Sequence, residues 1–214
     1  MKLKHLKGLL LVGSVSTILI ACQKEVNFQD LAGSGTGTNN TVITGNWEFV
    51  GLSAKTNVAI NVSQAGQGVK AVTTSDYSST DNTGTLTVTN NQFIFVGIGH
   101  KVNSVANVKT YLNGILFDNT DEPFDVVTPA ADNTLDYVRN NNDSLTFTNA
   151  VAVLPDPSGG VAPIPAGPMG ARINLKADTL TLVTKYAVSN TITQGGVPVV
   201  IDAKMEGIMK FKKQ

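Results

Sequence analysis

Few side chains in this 214-residue chain could carry chemistry. His5 and His100 are its two histidines and Cys22 its single cysteine. Beyond the N-terminal segment, a histidine triad or a zinc site would depend on His100 alone, with no thiol beside it. A strand-end histidine bonded to backbone or water is the expected state. Asp118, Asp121, Glu122 and Asp125 crowd one stretch, read here as a loop, and offer the hard oxygen ligands that Ca²⁺ takes. Their order is not the Asp-x-Asp-x-Asp-Gly of a calcium loop, and acidic turn residues are common. No Gly-x-Ser-x-Gly elbow occurs, nor a glycine-rich phosphate loop between a strand and a helix. An enzyme is not expected, and neither is a metal or a cofactor.

Cys22 stands apart from these. Lys2, Lys4 and Lys7 precede an apolar run from Gly8 to Ala21, 14 residues long. A membrane-spanning helix needs about 20 apolar residues to cross a hydrocarbon core of about 30 Å, so this run has the length of a signal-peptide core instead. It ends in Leu19-Ile20-Ala21-Cys22, which resembles the lipobox of bacterial lipoproteins. The resemblance implies a diacylglycerol on the Cys22 sulfur, cleavage between Ala21 and Cys22, and acylation of the new α-amine. Residues 1–21 are then a signal peptide. Two or three acyl chains, at about 0.8 kcal/mol per buried methylene, hold the chain on a membrane without any protein contact to lipid. Gln23-Lys24-Glu25 follows, with no Asp directly after the cysteine; in that family this favours delivery to the outer membrane. The trio also partly resembles the export tag of Bacteroidetes surface lipoproteins, with Val26 where a second acid belongs, which leaves the periplasmic and surface faces both open.

Removing residues 1–21 leaves 13 basic against 16 acidic side chains, a net of −3. With no concentrated basic stretch, nucleic acid is not the expected partner. Residues 22–42 read as the lipidated cysteine and a tether. Gly33 to Asn40 has no side chain able to build a core, and the roughly 20 residues before the first strand reach about 25 Å as a flexible coil. With no cysteine left to form a disulfide, residues 43–214 must be held by their own core, and they are long enough to bury one as a single domain.

That domain reads as all-β. Short Val-, Thr- and Ile-rich runs are divided by turn residues, which predicts an antiparallel meander closing into a barrel, or alternatively a two-sheet sandwich. Thr85 to Thr89 and Gln92 to Val96 flank Asn90-Asn91, and Val108 to Leu112 and Ile115 to Asp118 flank Asn113-Gly114, both hairpin signals. Arg172 to Lys176 returns as Thr179 to Thr184 through Ala177-Asp178. Alternation places Val102, Ser104, Ala106, Val108, Thr110 and Leu112 on one face of a strand. In the last strand Val199, Ile201, Ala203, Met205, Gly207, Met209 and Phe211 share the core face.

Gly45-Asn46-Trp47 opens the first strand, and Gly-x-Trp at that place resembles the opening of the lipocalin-like barrels that many bacterial lipoproteins carry. The resemblance implies that Trp47 packs across the barrel floor and that Gly45 permits close backbone approach. The arginine that covers this tryptophan in the family is absent from the last strand, which offers Lys210, Lys212 and Lys213. Asp143-Ser144-Leu145 and Asp178-Thr179-Leu180 resemble Bacteroidetes O-glycosylation sites, but read more simply as aspartate turns entering strands. Residues 154–171 hold five of the eight prolines and form a predicted Pro/Gly-rich loop, whose Val161, Ile164 and Met169 could contact a ligand or a partner. The expectation is an outer-membrane, lipid-anchored binding module for a small apolar ligand or a protein partner, the alternative being a structural or assembly subunit of a cell-envelope complex.

Overall fold

The strands run much longer than the turn spacing suggests, because β-branched residues alternate with polar ones through several turn-like positions without interruption. The computed structural model describes residues 42–64, 66–150, 153–155, 161–163 and 167–214. In chain order the strands are β1 (Gly45–Gln64), β2 (Gln67–Ser78), β3 (Thr80–Val88), β4 (Gln92–Leu112), β5 (Ile115–Arg139), β6 (Ser144–Ala150), β7 (Val153–Pro155), β8 (Val161–Pro163), β9 (Gly167–Lys176), β10 (Thr179–Gln194) and β11 (Val197–Lys213). No helix occurs among the described residues.

Nine of these strands form one antiparallel sheet, in which β11 pairs back onto β1 and closes the meander into a ring. β2 and β3 act as one interrupted strand. Each pairs with β1 on one side and β4 on the other, the break falling at Ser79. Neighbours in the ring are neighbours in the chain, the up-and-down order that removes free edges by closure. The two-sheet sandwich is thereby excluded: the remaining pair, β7 with β8, is a small hairpin of its own. The Asn113-Gly114 turn has φ of 50° and 83°, as a two-residue turn matching strand twist requires.

Among the described residues, closure is complete at one end only. β6 pairs with β5 over Tyr137, Val138 and Arg139, and β9 pairs with β10 no further than Thr184. Beyond those points β10, β11, β1, β2, β4 and β5 continue as a six-stranded open wall.

The ring is filled by side chains. Trp47, Phe93, Phe147, Phe211, Ile43, Leu86, Leu145 and Leu180 are fully buried. Phe93 stands edge-on to Tyr137 and Phe147, with centroids 5.0 and 5.2 Å away. A smaller cluster of Ala54, Tyr77, Val102, Ala106 and Phe124 lies on the β1–β2–β4–β5 wall. On the outside, register aligns Asp76, Lys55, Glu206 and Lys185 in a row across β2, β1, β11 and β10. Its ion pairs measure 3.0 Å for Lys55–Asp76 and 2.9 Å for Lys185–Glu206.

Candidate functional site

The open wall carries the least expected surface of the molecule. Because side chains alternate across a strand, the face that holds the core inside the ring continues up the wall, with no layer over it among the described residues. Register arranges it in rows. At the rim, Ile192, Val199, Val62, Val69, Leu112 and Ile115 stand side by side on six strands. Two residues down the first five of these strands lie Asn190, Ile201, Ile60, Ala71 and Thr110, then Val188, Ala203, Val58, Thr73 and Val108. The lowest row is Tyr186, Met205, Thr56, Ser75 and Ala106, in which the Thr56 and Ser75 hydroxyls bond at 2.6 Å. Four rows on β10, β11, β1, β2 and β4, strands spaced about 4.8 Å apart, make a face of about 20 by 19 Å. On β10, β11, β1, β2 and β4 no charged side chain stands in these rows, whereas β5 continues them with Asp118, Thr120 and Glu122 opposite Thr110, Val108 and Ala106. The upper rows are accessible: Ile60, Val69, Leu112 and Ile192 are 41, 37, 40 and 39 % exposed. On the reverse of the same strands Asn57, Lys70, Lys109, Asp202 and Lys204 face solvent.

The hairpin tip at the rim is also apolar. Ile115, Leu116 and Phe117 follow the Asn113-Gly114 turn at 74, 51 and 66 % exposure. An open groove of about 560 Å³ lies beside it at the hairpin ends, lined by Asn61, Val62, Val69, Lys70, Tyr111 and Asn113. A second, of about 370 Å³, runs along β10, β11 and β1 by Tyr186, Met205 and Lys204.

Trp47 and Gly45 sit at the opposite, closed end. Trp47 has no exposed surface; its indole Nε1 donates to the Ile43 carbonyl at 3.0 Å. The Lys213 ammonium lies 5.8 Å over the ring, the one of the three expected lysines that covers it. Gly45 is needed for a different reason from the one the resemblance implies. A Cβ there would meet nothing within 4 Å, but φ is +132°, which side-chain-bearing residues rarely adopt.

His100 is not at a strand end. It lies within the 21-residue β4, 8 % exposed, with the Phe49 ring against it. Its Nε2 is 3.3 Å from the Thr128 hydroxyl, and Nδ1 has no hydrogen-bond partner among the described residues. Burial holds its pKa below the ordinary value of 6.5. Asp118, Asp121, Glu122 and Asp125 lie along β5 and not in a loop, so their side chains leave on opposite faces. Asp121 accepts from Asn107 at 2.9 Å. No group of three potential metal ligands occurs among the described residues.

The Pro/Gly-rich stretch is also different from its expectation. Gly167–Lys176 is strand β9, so Met169 is not a loop residue; it is 5 % exposed and packs in the ring core, since it pairs with buried Phe147. Val161 begins β8, opposite Pro155. Ile164 and the Cys22 anchor lie outside the described residues. Ser144 is 6 % exposed at the first position of β6, and Thr179 begins β10 with its hydroxyl on Asp178 at 3.2 Å; both are aspartate turns entering strands.

Sequence patterning misses the open wall because alternation tells which residues share a face but not whether another layer covers that face. The one signal available is that the alternating runs exceed the length of the strands β6 and β9 that would have to complete the ring. Comparison with protein-family models, with curated proteins and with solved structures found no match for the chain.

Proposed function

We propose that this chain is an outer-membrane lipoprotein, anchored through Cys22, whose β-barrel domain binds an elongated apolar ligand on the inner face of its open wall. The observation that carries the reading is the rim row Ile192, Val199, Val62, Val69, Leu112 and Ile115: six apolar residues in register on the face that continues the core. An isolated exposed aliphatic residue is ordinary, whereas a contiguous patch of this extent favours a binding role. The ring interior is filled, so the ligand's seat is the wall and not an enclosed barrel cavity. The aliphatic contacts on β10, β11, β1, β2 and β4 suit a hydrocarbon chain, with Asp118 and Glu122 of β5 at the border of that face.

The test is displacement of an environment-sensitive apolar dye by long-chain lipids, compared between the wild-type chain and Ile60→Asp. Binding by the wild type that falls at least tenfold in the variant supports the reading. Equal dye binding by both places the ligand elsewhere. For the anchor, Cys22→Ser is expected to move the chain from the membrane fraction to the soluble one.

A second reading, an assembly subunit of the cell envelope, draws on the hairpin tip, where Leu116 and Phe117 project more than half exposed. Substituting both with serine should abolish a protein contact there while leaving dye binding on the inner rows intact.

A further inference from the structure

The open wall has two free edges, and they are built differently. On β5, residues Ile115 to Leu135 pair with no strand but β4 among the described residues. That edge carries Asp118, Asp121, Glu122, Asp125 and Asp132, no lysine or arginine, and Pro123 and Pro129. Acidic side chains and prolines are the devices by which a sheet edge resists pairing with another strand. Two such edges laid together would oppose carboxylate to carboxylate.

On β10, residues Ala187 to Gln194 pair with no strand but β11 among the described residues. The segment Tyr186-Ala-Val-Ser-Asn-Thr-Ile-Thr-Gln194 contains no charge, no proline and no glycine, and Ser189 to Gln194 are all accessible to solvent. It is rich in β-branched residues, which favour strand pairing. It is also self-complementary. When two copies run antiparallel about Asn190, Val188 of one stands opposite Ile192 of the other on the inner face, Ser189 stands opposite Thr191 on the outer face, and the two Asn190 amides meet at the two-fold axis. Apolar meets apolar, hydroxyl meets hydroxyl and amide meets amide.

We propose that β10 is a homodimer edge, through which a second copy of this chain adds its own β10 in antiparallel register centred on Asn190. Main-chain hydrogen bonds between the edges supply the affinity, and the flanking side chains fix the register. The inner faces of both walls then lie on one side of a continuous sheet, so the two apolar faces become one. The guarded β5 edges remain outside the pair and stop it from growing into a filament. The dimer forms whichever ligand, if any, the inner face takes.

The experiment uses the full-length chain. Sedimentation of the detergent-solubilised protein is expected to show a dimer for the wild type and a monomer for Asn190→Glu and for Asn190→Lys, each of which sets like charges against each other at the axis. Asn190 is exposed, so neither change disturbs the monomer's core. Mixing the two variants should restore the dimer as a mixed pair, which a misfolded variant could not do. In membranes, Asn190→Cys should give an oxidised dimer band above the wild-type background, while Asp125→Cys on the guarded edge should not. A monomeric wild type, an Asn190→Glu chain that stays dimeric, a mixture that stays monomeric, or equal bands from the two cysteine variants would each overturn the proposal.

Discussion

Trp47 shows how much a single residue can organise. Its indole is wholly buried, anchored by a hydrogen bond to Ile43 and covered by Lys213 from the last strand, so it ties the first strand to the closing one. Trp47→Ala is expected to cost about 3–5 kcal/mol, read as a lower urea midpoint. Lys213→Ala should lose only about 0.5–1 kcal/mol, because its cation–π contact is at the surface. His100 makes an opposite contribution. Its pKa is lowered in the folded state by desolvation, so the unfolded chain binds the proton more readily. The stability associated with neutral His100 is complete above the unfolded value of 6.5 and declines as pH falls below it towards the folded pKa. The slope cannot exceed about 1.4 kcal/mol per pH unit for one group. The melting temperature of the wild type should fall as pH drops from about one unit above the ordinary histidine value to about one unit below it. His100→Gln should flatten that fall; an unchanged pH profile in the variant would assign the effect elsewhere.

At the scale of elements, the seam between β3 and β4 is tighter than any motif in the sequence announces. A Cβ on Gly84 would stand 2.6 Å from the Gly97 carbonyl carbon and oxygen, and φ there is +104°. Contact with backbone cannot be relieved by a rotamer change. Gly84→Ala is therefore expected to cost about 3 kcal/mol or more, whereas Gly45→Ala, strained in φ but meeting no atom, should cost about 1–2 kcal/mol. Denaturant titration of the two variants compares them directly. The β2–β3 interruption is similarly specific: Ser79 Oγ accepts from the Leu52 amide at 2.7 Å and donates to Asn82 at 2.6 Å, while Asn82 Nδ2 donates to the Val50 carbonyl at 2.8 Å. These bonds cover the register shift between Phe49 and Gly51 in β1. The outer charge row is a weaker device. Lys185 and Glu206 are both more than a third exposed, so Glu206→Gln should change stability by less than about 1 kcal/mol and mainly reduce its salt dependence.

At the scale of the whole molecule, the fold depends on joining its two ends. β1 and β11 are far apart in the chain, with Trp47 opposite Lys213 and Phe49 opposite Phe211. The loop-closure entropy must be met before those contacts form, so folding should be slow, on the order of milliseconds to seconds. Phe211→Ala removes a fully buried ring from the closing strand and should cost about 3–5 kcal/mol, with urea unfolding as the measure. Most strands and hairpins are legible in the residues alone: Asn90-Asn91, Asn113-Gly114 and Ala177-Asp178 all turn the chain where turn chemistry places them, and the core face of β11 follows alternation. Met169 and His100 are not legible in that way. Proline density makes residues 154–171 read as one loop, although the β-sheet pairing of Met169 with Phe147 overrides that composition. His100 reads as a strand end, whereas β4 runs through it, and Gly97 and Gly99 just before it lie where the pairing of β4 with β3 and β5 shifts register.

By itself the sequence determined the alternation, the turns and the polar outer face, since each depends on residues within one or two positions of each other in the chain. It also carries the Leu19-Ile20-Ala21-Cys22 motif, on which the proposed anchor rests. Only the tertiary structure decided that one sheet closes through β1 and β11, that aromatic rings fill one end, and that the same inner face lies open at the other. Those outcomes depend on strand pairing between distant residues, β6 and β9 meeting β5 and β10 at the closed end only among the described residues, and no local pattern of residues encodes which distant strands will pair.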